Sequence, residues 1–312
     1  CLRNKFEKED KNLLYLFSLI IFLLPSFRSG AIWANSQITA LILFLLSLIF
    51  FTKWIKKKDF NDINLNLLLQ IIFISLTVYT RQLYAIIFLY FVYLYFQKLR
   101  FKIFFFTCAI IFLCSIPGLL LVYNFSITLS SSFDNRIYNS LLVNSSIISF
   151  YLIPIYFFLL FDKKVSLDFK DKKTVFVSIF LLIFVLVLSQ HFNYNFRLGG
   201  GFFLKLSVIL FNNFYLFFLT SAIGLFLLAL ISFENKNNFV LILLLLFIFA
   251  SYQIFQKYFE PMFLLILFLI FDTKISYKFF SNFKHTYFFY FYILVYFISS
   301  VINDIFKITK NI

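Results

Sequence analysis

Long apolar runs alternate with short polar segments along the whole chain. Within a run the apolar positions are continuous rather than alternating with polar ones, which predicts helices and argues against the strands of a membrane β-barrel. A helix needs about 20 mostly apolar residues to cross the hydrocarbon core of a bilayer. We predict eleven membrane spans, at residues 12–25, 35–52, 66–80, 83–97, 103–123, 146–161, 174–189, 211–233, 239–251, 261–271 and 286–303.

The composition agrees with a membrane protein. Of the 312 residues, 62% are hydrophobic and 13% are charged, with a mean hydropathy of +0.95 and 53 Phe. Soluble domains average about 45–50% apolar and about 25% charged residues, and one of this length cannot bury so much apolar surface. A soluble enzyme, a disordered chain and a coiled coil are therefore excluded. We predict an all-α, polytopic transmembrane helix bundle that forms a single integral membrane domain over residues 1–312.

The net charge of +15 is distributed unevenly between alternate connecting segments. We name two groups by their ranges. Set A comprises residues 1–11, 53–65, 98–102, 162–173, 234–238 and 272–285. Set B comprises residues 26–34, 81–82, 124–145, 190–210, 252–260 and 304–312. Set A holds 20 of the 28 Lys and Arg, and set B holds 8. Because cytoplasmic loops are enriched in Lys and Arg, we expect set A in the cytoplasm and set B outside.

This topology accounts for the positive charge without a nucleic-acid partner. It places residue 1 in the cytoplasm and residue 312 outside, in a membrane that we expect to be the bacterial inner membrane. The chain begins with Cys1 rather than Met, so we expect it to lack its natural N-terminus. An even number of spans would then be missing. One missing helical hairpin gives about thirteen spans in the whole protein.

Arginine is concentrated in set B, against the general charge bias. Four of the six Arg lie there, each in a different segment and close to a span end: Arg28, Arg81, Arg136 and Arg197. The guanidinium group offers a planar fork of donors that matches phosphate. These residues therefore predict an anion site at the outer membrane boundary. The alternative is that each side chain reaches the anionic lipid head groups.

Three of the six glycines stand together at Gly199–Gly201, directly after Arg197 and Leu198. Consecutive glycines let the backbone approach a ligand and turn its N–H groups towards an anion. We therefore include Gly199 and Gly200 in a candidate phosphate-binding loop. The alternative is a plain connection that leads into a re-entrant stretch at 201–211.

Acidic residues are scarce in set B. Asp134 and Glu260 are the candidates for a general base, if either lies near an acceptor hydroxyl. Structural roles are the alternative, since Asp134 lies near Arg136 and Glu260 precedes a helix start at Pro261, where a carboxylate is favourable. The sequence contains neither a His/Cys cluster of the kind that binds zinc nor a phosphate-binding P-loop, and we predict no metal site.

Three motifs together resemble the GT-C class of polytopic glycosyltransferases. Leu24-Pro25-Ser26-Phe27-Arg28-Ser29-Gly30 is similar to a stretch that leads into a span in the dolichyl-phosphate-glucose glucosyltransferase branch. Tyr79-Thr80-Arg81-Gln82 resembles the Arg-Gln-Thr-Asn motif of that branch, with Leu83 and Tyr84 in place of Thr and Asn. Lys257-Tyr258-Phe259-Glu260-Pro261 resembles a basic-Tyr-x-x-Pro signature near the end of many members.

The resemblance implies a sugar transfer from a polyprenyl-phosphate donor to a lipid-linked glycan or another cell-envelope acceptor. An acid would deprotonate the acceptor hydroxyl, which attacks the sugar C1 with inversion while polyprenyl phosphate leaves. In this class the acid lies in the first outer loop, which is the hairpin expected to be missing here. The expected binding residues are Arg28, Arg81, Gln82, Arg197, Gly199, Gly200, Lys257 and Tyr258. The donor is itself a substrate, and we expect no further cofactor.

Three alternatives remain open on the sequence. An O-antigen-type polymerase or ligase also uses lipid-linked substrates, but it usually needs a larger outer loop than the 22 residues of 124–145. A lipid-linked oligosaccharide flippase or another transporter would need polar residues lining a cavity through the spans. A purely structural membrane subunit would leave the four outer Arg without a role.

Overall fold

The computed structural model describes residues 1–7, 9–32, 36–57, 60, 62–124, 137–161, 172–196, 199–247 and 254–310. These residues are all-α, with fifteen α-helices. The first eight are α1 (Leu2–Lys5), α2 (Lys11–Leu23), α3 (Pro25–Ile32), α4 (Ser36–Ile55), α5 (Leu65–Thr80), α6 (Tyr84–Lys98), α7 (Phe101–Asn124) and α8 (Ile137–Phe161). The others are α9 (Lys172–Ser189), α10 (Gly201–Phe211), α11 (Tyr215–Glu234), α12 (Lys236–Phe247), α13 (Met262–Leu265), α14 (Lys274–Phe280) and α15 (Phe283–Lys310).

Each of the eleven predicted segments overlaps helical structure in the described part of the chain. Among the described residues, five helices are long and apolar enough to cross a membrane, at Ser36–Ile55, Phe101–Leu120, Ile137–Phe161, Tyr215–Glu234 and Phe283–Ile302. Most of the other predicted segments coincide with apolar helices of 10–17 residues, which rise only about 15–25 Å. The last, 261–271, is α13 continued by a π-helical turn at Ile266–Ile270.

Helix α8 begins nine residues before the span predicted at 146–161. The sequence of its first turns is polar, which is why the apolar pattern assigned it to a connecting segment. In the structure these polar side chains are buried against neighbouring helices: Asn144 Nδ2 donates to the Leu246 carbonyl at 2.7 Å, and Asn139 is 1% exposed. Polar residues with internal partners of this kind are tolerated in membrane helices.

Helices α8 and α11 pack closely at Gly224. Gly224 lies against the Ser145 carbonyl, and a Cβ at Gly224 would be only 2.1 Å from that oxygen. On either side of this contact, Ser146 and Thr220 share a hydrogen bond of 3.1 Å, and Ser221 donates to the Leu142 carbonyl at 2.9 Å. Membrane helices associate through small residues, which allow close approach of the backbones, and through hydroxyl groups that form hydrogen bonds across helices.

The centre of the bundle is the segment between α12 and α14. Every residue from Phe259 to Phe271 is buried. This segment contains α13 and the π-helical turn, whose side chains meet other helices on every side; Phe268, for example, packs on Phe17, Phe279 and Phe280. A helix that is apolar all round belongs in the interior of a bundle.

Hydrogen bonds and an ion pair join connecting segments of the same set, as defined by the distribution of Lys and Arg. Within set A, Lys56 pairs with Glu7, Asn235 Nδ2 donates to Asp272 at 3.1 Å, and the Lys274 N–H donates to Glu234 at 2.7 Å. Within set B, Asn139 Nδ2 donates to the Asn193 carbonyl at 3.0 Å, and the Gly200 N–H donates to the Ile254 carbonyl at 2.7 Å. The described segments that these contacts join therefore group by set, and we call the two groups the set A end and the set B end of the bundle. The assignment of set A to the cytoplasm stays a prediction.

Lys5 anchors the first helix to the set A end of the central segment. Its ammonium donates to the Phe271 carbonyl. Burial lowers the pKa of Lys5 to about 8, although nearby Asp272 acts in the opposite direction. In the unfolded chain a lysine titrates near pH 10.4. Between pH 8 and 10 the unfolded chain therefore binds more protons than the folded protein, and stability rises with pH in this window.

We expect the Lys5→Met variant to lack this rise. The melting temperature of the wild-type protein should increase relative to that of Lys5→Met by a few degrees between pH 8 and 10, since each kcal/mol shifts Tm by roughly 2–4 °C in chains of this size. Thermal unfolding in detergent across this pH range measures the difference. Lys11→Met, at an exposed lysine of the same end, is the control and should keep the wild-type trend. Parallel curves for wild type and Lys5→Met would contradict the prediction.

Candidate functional site

The glycine loop, Gly199–Gly201, adopts a backbone conformation that favours glycine at each position. The φ angles are +137°, +85° and +80°. A Cβ at Gly199 would lie 2.4 Å from the Ile254 carbonyl oxygen, and one at Gly201 would lie 2.6 Å from the Ile147 side chain. The glycines thus allow close packing against the segment that precedes α13. Because the Gly200 N–H already donates to Ile254, the phosphate-binding role of Gly199 and Gly200 stays a prediction.

The segment Ile254–Pro261 enters the bundle from the set B end and is fixed at its start. The Ile254 N–H donates to the Tyr194 hydroxyl at 2.8 Å. A 3₁₀ turn follows at Gln256–Tyr258. The Gln256 side chain accepts from the Phe202 N–H at 2.7 Å, which satisfies one of the free donors at the start of α10. The segment is therefore joined to the glycine loop and α10 at several points.

Glu260 lies deep in the bundle. Its carboxyl accepts three hydrogen bonds: from the Tyr151 hydroxyl at 2.7 Å, from the Tyr296 hydroxyl at 3.1 Å and from the Ser26 N–H at 3.2 Å. It is 2% exposed, and within the described parts of the chain no cation pairs with it. These contacts tie together α3, α8, α15 and the segment Ile254–Pro261.

The burial of Glu260 differs from the exposed position expected at a span start near the surface. Tyr151 lies twelve residues beyond Asn139 on α8, and Asn139 is bonded to Asn193 at the set B end. At 1.5 Å per residue, Tyr151 is about 18 Å along α8 from Asn139. Glu260 also accepts from the Ser26 N–H, in the set B segment 26–34. It is thus buried between a connecting segment and the helices α8 and α15, which an apolar pattern does not reveal.

Gln37, on the first turn of α4, also contacts the segment Ile254–Pro261. Its Nε2 donates to the Lys257 carbonyl and lies 3.4 Å from the Glu260 carbonyl. The Lys257 ammonium lies 5.2 Å from the centre of the Phe255 ring and 5.9 Å from that of Tyr258. Across the described ranges this ammonium makes neither a hydrogen bond nor an ion pair with the protein. Lys257 is thus a half-buried cation, held by aromatic rings and without a protein anion.

The structure brings together three of the stretches predicted to form the site. Ser26 of the α3 stretch donates to Glu260, and Gly200 of the glycine loop donates to Ile254. Lys257 of the basic-Tyr signature accepts from Gln37. All three stretches therefore contact the segment Ile254–Pro261. Arg28 lies on α3, but its side chain is outside the described residues, as are Arg197 and Asp134 altogether. Arg81 and Gln82 form the turn between α5 and α6, where the Arg81 N–H donates to the Thr77 carbonyl at 2.9 Å.

Sequence reasoning missed the side chains that join these stretches. Gln37 and Gln256 are polar residues beside span ends, and the position of Gln256 directly before Lys257 was a usable signal. Tyr151 and Tyr296 lie inside apolar spans and carry no such signal. Among the described residues, no group of three or more His, Cys, Asp or Glu side chains is placed to hold a metal ion.

Comparisons with known proteins give no identity for the chain. No protein-family model matches it, no curated protein matches it, and no solved structure matches it. The observations therefore support an all-α protein with five candidate membrane-spanning helices, and the resemblance to the GT-C class stays a prediction.

Proposed function

We propose that this protein is an integral membrane glycosyltransferase that transfers a sugar from a polyprenyl-phosphate donor to a lipid-linked glycan or another cell-envelope acceptor. In this proposal the shorter apolar helices complete a bundle of about eleven spans. The set A end faces the cytoplasm, and the set B end faces the outside of a bacterial inner membrane. The donor and acceptor meet at the set B end.

The observation that carries this proposal is Lys257. Its ammonium belongs to a turn that is fixed by Gln37, Gln256 and Glu260, yet it has no anionic partner among the described residues. A fixed cation without a protein anion at the end of a membrane bundle suits a lipid phosphate. The glycine loop and the stretch that carries Arg28 converge on the same turn, so further donors lie on adjoining stretches.

In the proposed reaction these groups stabilise the leaving phosphate. As the bond between sugar C1 and phosphate oxygen breaks, negative charge grows on the phosphate, and a preorganised cation stabilises that charge more than the ground state. Tyr258, beside Lys257, would orient the sugar or phosphate, and Arg81 with Gln82 would extend the contact. The role of general base is not assigned to Glu260, because both of its oxygens already accept hydrogen bonds from the protein.

We expect Lys257→Ala to weaken the binding of undecaprenyl phosphate about tenfold, which corresponds to about 1.4 kcal/mol. Native mass spectrometry of the purified chain, with undecaprenol as the ligand that lacks phosphate, measures this change. Lys284→Ala removes an exposed lysine at the set A end and is the matched control. Equal affinity of Lys257→Ala and wild type for undecaprenyl phosphate would overturn the phosphate site.

A second candidate function, a lipid-linked oligosaccharide flippase, is favoured by the burial of Glu260. Ionisable residues in the interior of membrane proteins commonly belong to transport or proton pathways. Proteoliposomes that hold a fluorescent lipid-linked glycan distinguish the two functions. Movement of the glycan between leaflets without sugar transfer would support the flippase, whereas transfer without movement would support the transferase.

A further inference from the structure

We propose that Glu260 is a positioning residue, whose carboxyl fixes the segment Ile254–Pro261 and thereby sets the position of the Lys257 ammonium. This inference rests on the proposed function, since it concerns the same phosphate site. It assigns to Glu260 neither the role of a base nor contact with the substrate. Glu260 acts through the turn that carries Lys257.

The hydroxyl of Tyr151 is shared between Glu260 and Gln256. This hydroxyl donates to Glu260 at 2.7 Å and lies 3.4 Å from Gln256 Nε2, from which it accepts a hydrogen bond. Gln256 and Glu260 flank Lys257 in the sequence, on the near and far sides of the turn. One hydroxyl group therefore holds both ends of the turn at the same point on α8.

The Glu260 carboxyl also bonds to distant parts of the chain. Ser26 and Tyr296, separated by most of the sequence, both donate to it. Gln37 on α4 binds the carbonyl of Lys257 itself. The segment that carries Lys257 is thus bonded to α3, α4, α8 and α15. This backbone sets the region that the Lys257 side chain can reach, and the rings of Phe255 and Tyr258 hold the ammonium within it.

The three donors to Glu260 require a group with two acceptor oxygens, as a carboxyl provides. In a lipid-surrounded interior, a buried donor without an acceptor is costly. A glutamine at 260 can present its carbonyl oxygen to the two tyrosines, but its NH₂ group then faces the Ser26 N–H. The glutamine NH₂ group and the Ser26 N–H, both hydrogen-bond donors, would then face each other. The segment Ile254–Pro261 would shift away from α3.

The test compares Glu260→Gln and Tyr151→Phe with wild type in the binding of undecaprenyl phosphate to the full chain. We expect each variant to lose about tenfold in affinity, because the segment that carries Lys257 then no longer holds its ammonium beside the phosphate. Tyr151→Phe removes only the shared hydroxyl, so it carries the test if Glu260→Gln does not fold.

Two controls distinguish positioning from general destabilisation. Glu234→Gln alters a carboxylate at the set A end that accepts from the Lys274 N–H at 2.7 Å; it should lower the melting temperature without changing lipid affinity. In a Lys257→Ala background, Glu260→Gln should cause no further loss of affinity, because a positioning residue acts only through the residue it positions.

The outcomes separate this inference from the proposed function. If Lys257→Ala binds undecaprenyl phosphate weakly but Glu260→Gln and Tyr151→Phe bind it like wild type, the positioning role is overturned and the phosphate site stands. Independent, additive losses from Lys257→Ala and Glu260→Gln would also overturn it. If Lys257→Ala binds like wild type, the proposed function itself is overturned.

Discussion

Replacing Gly224 with alanine is expected to destabilise the bundle strongly, although it adds only one methyl group. The new Cβ would lie 2.1 Å from the Ser145 carbonyl oxygen and 2.9 Å from its carbon, both of which are backbone atoms of α8. Neither atom can move without α8, so the two helices must separate. We expect a loss of roughly 3 kcal/mol, in the upper range for overpacked interiors, and a fall in melting temperature of roughly 5–10 °C.

Thermal unfolding in detergent measures this loss, and Gly30→Ala is the matched control. At Gly30 the nearest atom to an added Cβ is Cγ1 of Ile38 at 3.1 Å, in a side chain that can give way. Gly30→Ala should therefore change the melting temperature by less than a third as much. Equal effects of the two substitutions would show that α8 and α11 do not pack as closely as described.

Gly199→Ala is expected to have the second large effect, on both stability and ligand binding. Its φ of +137° lies where only glycine is comfortable, and its Cβ would lie 2.4 Å from the Ile254 carbonyl oxygen. The strain and the collision add to about 3 kcal/mol or more. Because Ile254 begins the segment that carries Lys257, affinity for undecaprenyl phosphate should also fall by about tenfold.

The neighbouring Gly200→Ala isolates the backbone collision. Gly200 also has a positive φ, of +85°, but its Cβ would meet the end of the Leu204 side chain rather than a backbone atom. We expect this variant to lose only about 1–2 kcal/mol. Melting temperature and lipid affinity, measured on both variants, give the comparison. A smaller effect at Gly199 than at Gly200 would contradict the assigned packing of the glycine loop.

The helices were largely predictable because apolar runs alone determine where membrane helices form. The eleven predicted segments all overlap helical structure in the described part of the chain, and the stretch 201–211 forms α10. The start of α8 was missed because Asn139 and Asn144 look like loop residues until their partners on other segments are known. That knowledge requires the three-dimensional packing, which a single sequence does not contain.

The candidate site was predictable in its location but not in its connections. Charge and glycine patterns identified Gly199, Gly200, Lys257 and Glu260, which the structure places in one region. Tyr151 and Tyr296 are two of 19 tyrosines, and nothing in their local sequence distinguishes them. The burial of Glu260 was equally hidden, because its partners Ser26, Tyr151 and Tyr296 come from distant parts of the chain.

The contacts of Glu260 have a consequence for the order in which the protein is assembled. Its three hydrogen-bond donors come from residues 26, 151 and 296. Tyr296 lies in α15, which is synthesised after the other fourteen described helices. During synthesis the carboxyl therefore has an incomplete set of donors until α15 has entered the membrane. The segment around α13 is also too short to be retained in lipid on its own. Insertion of α15 thus completes the set of hydrogen bonds around Glu260, and a chain that stops before this helix leaves that carboxyl without the Tyr296 donor.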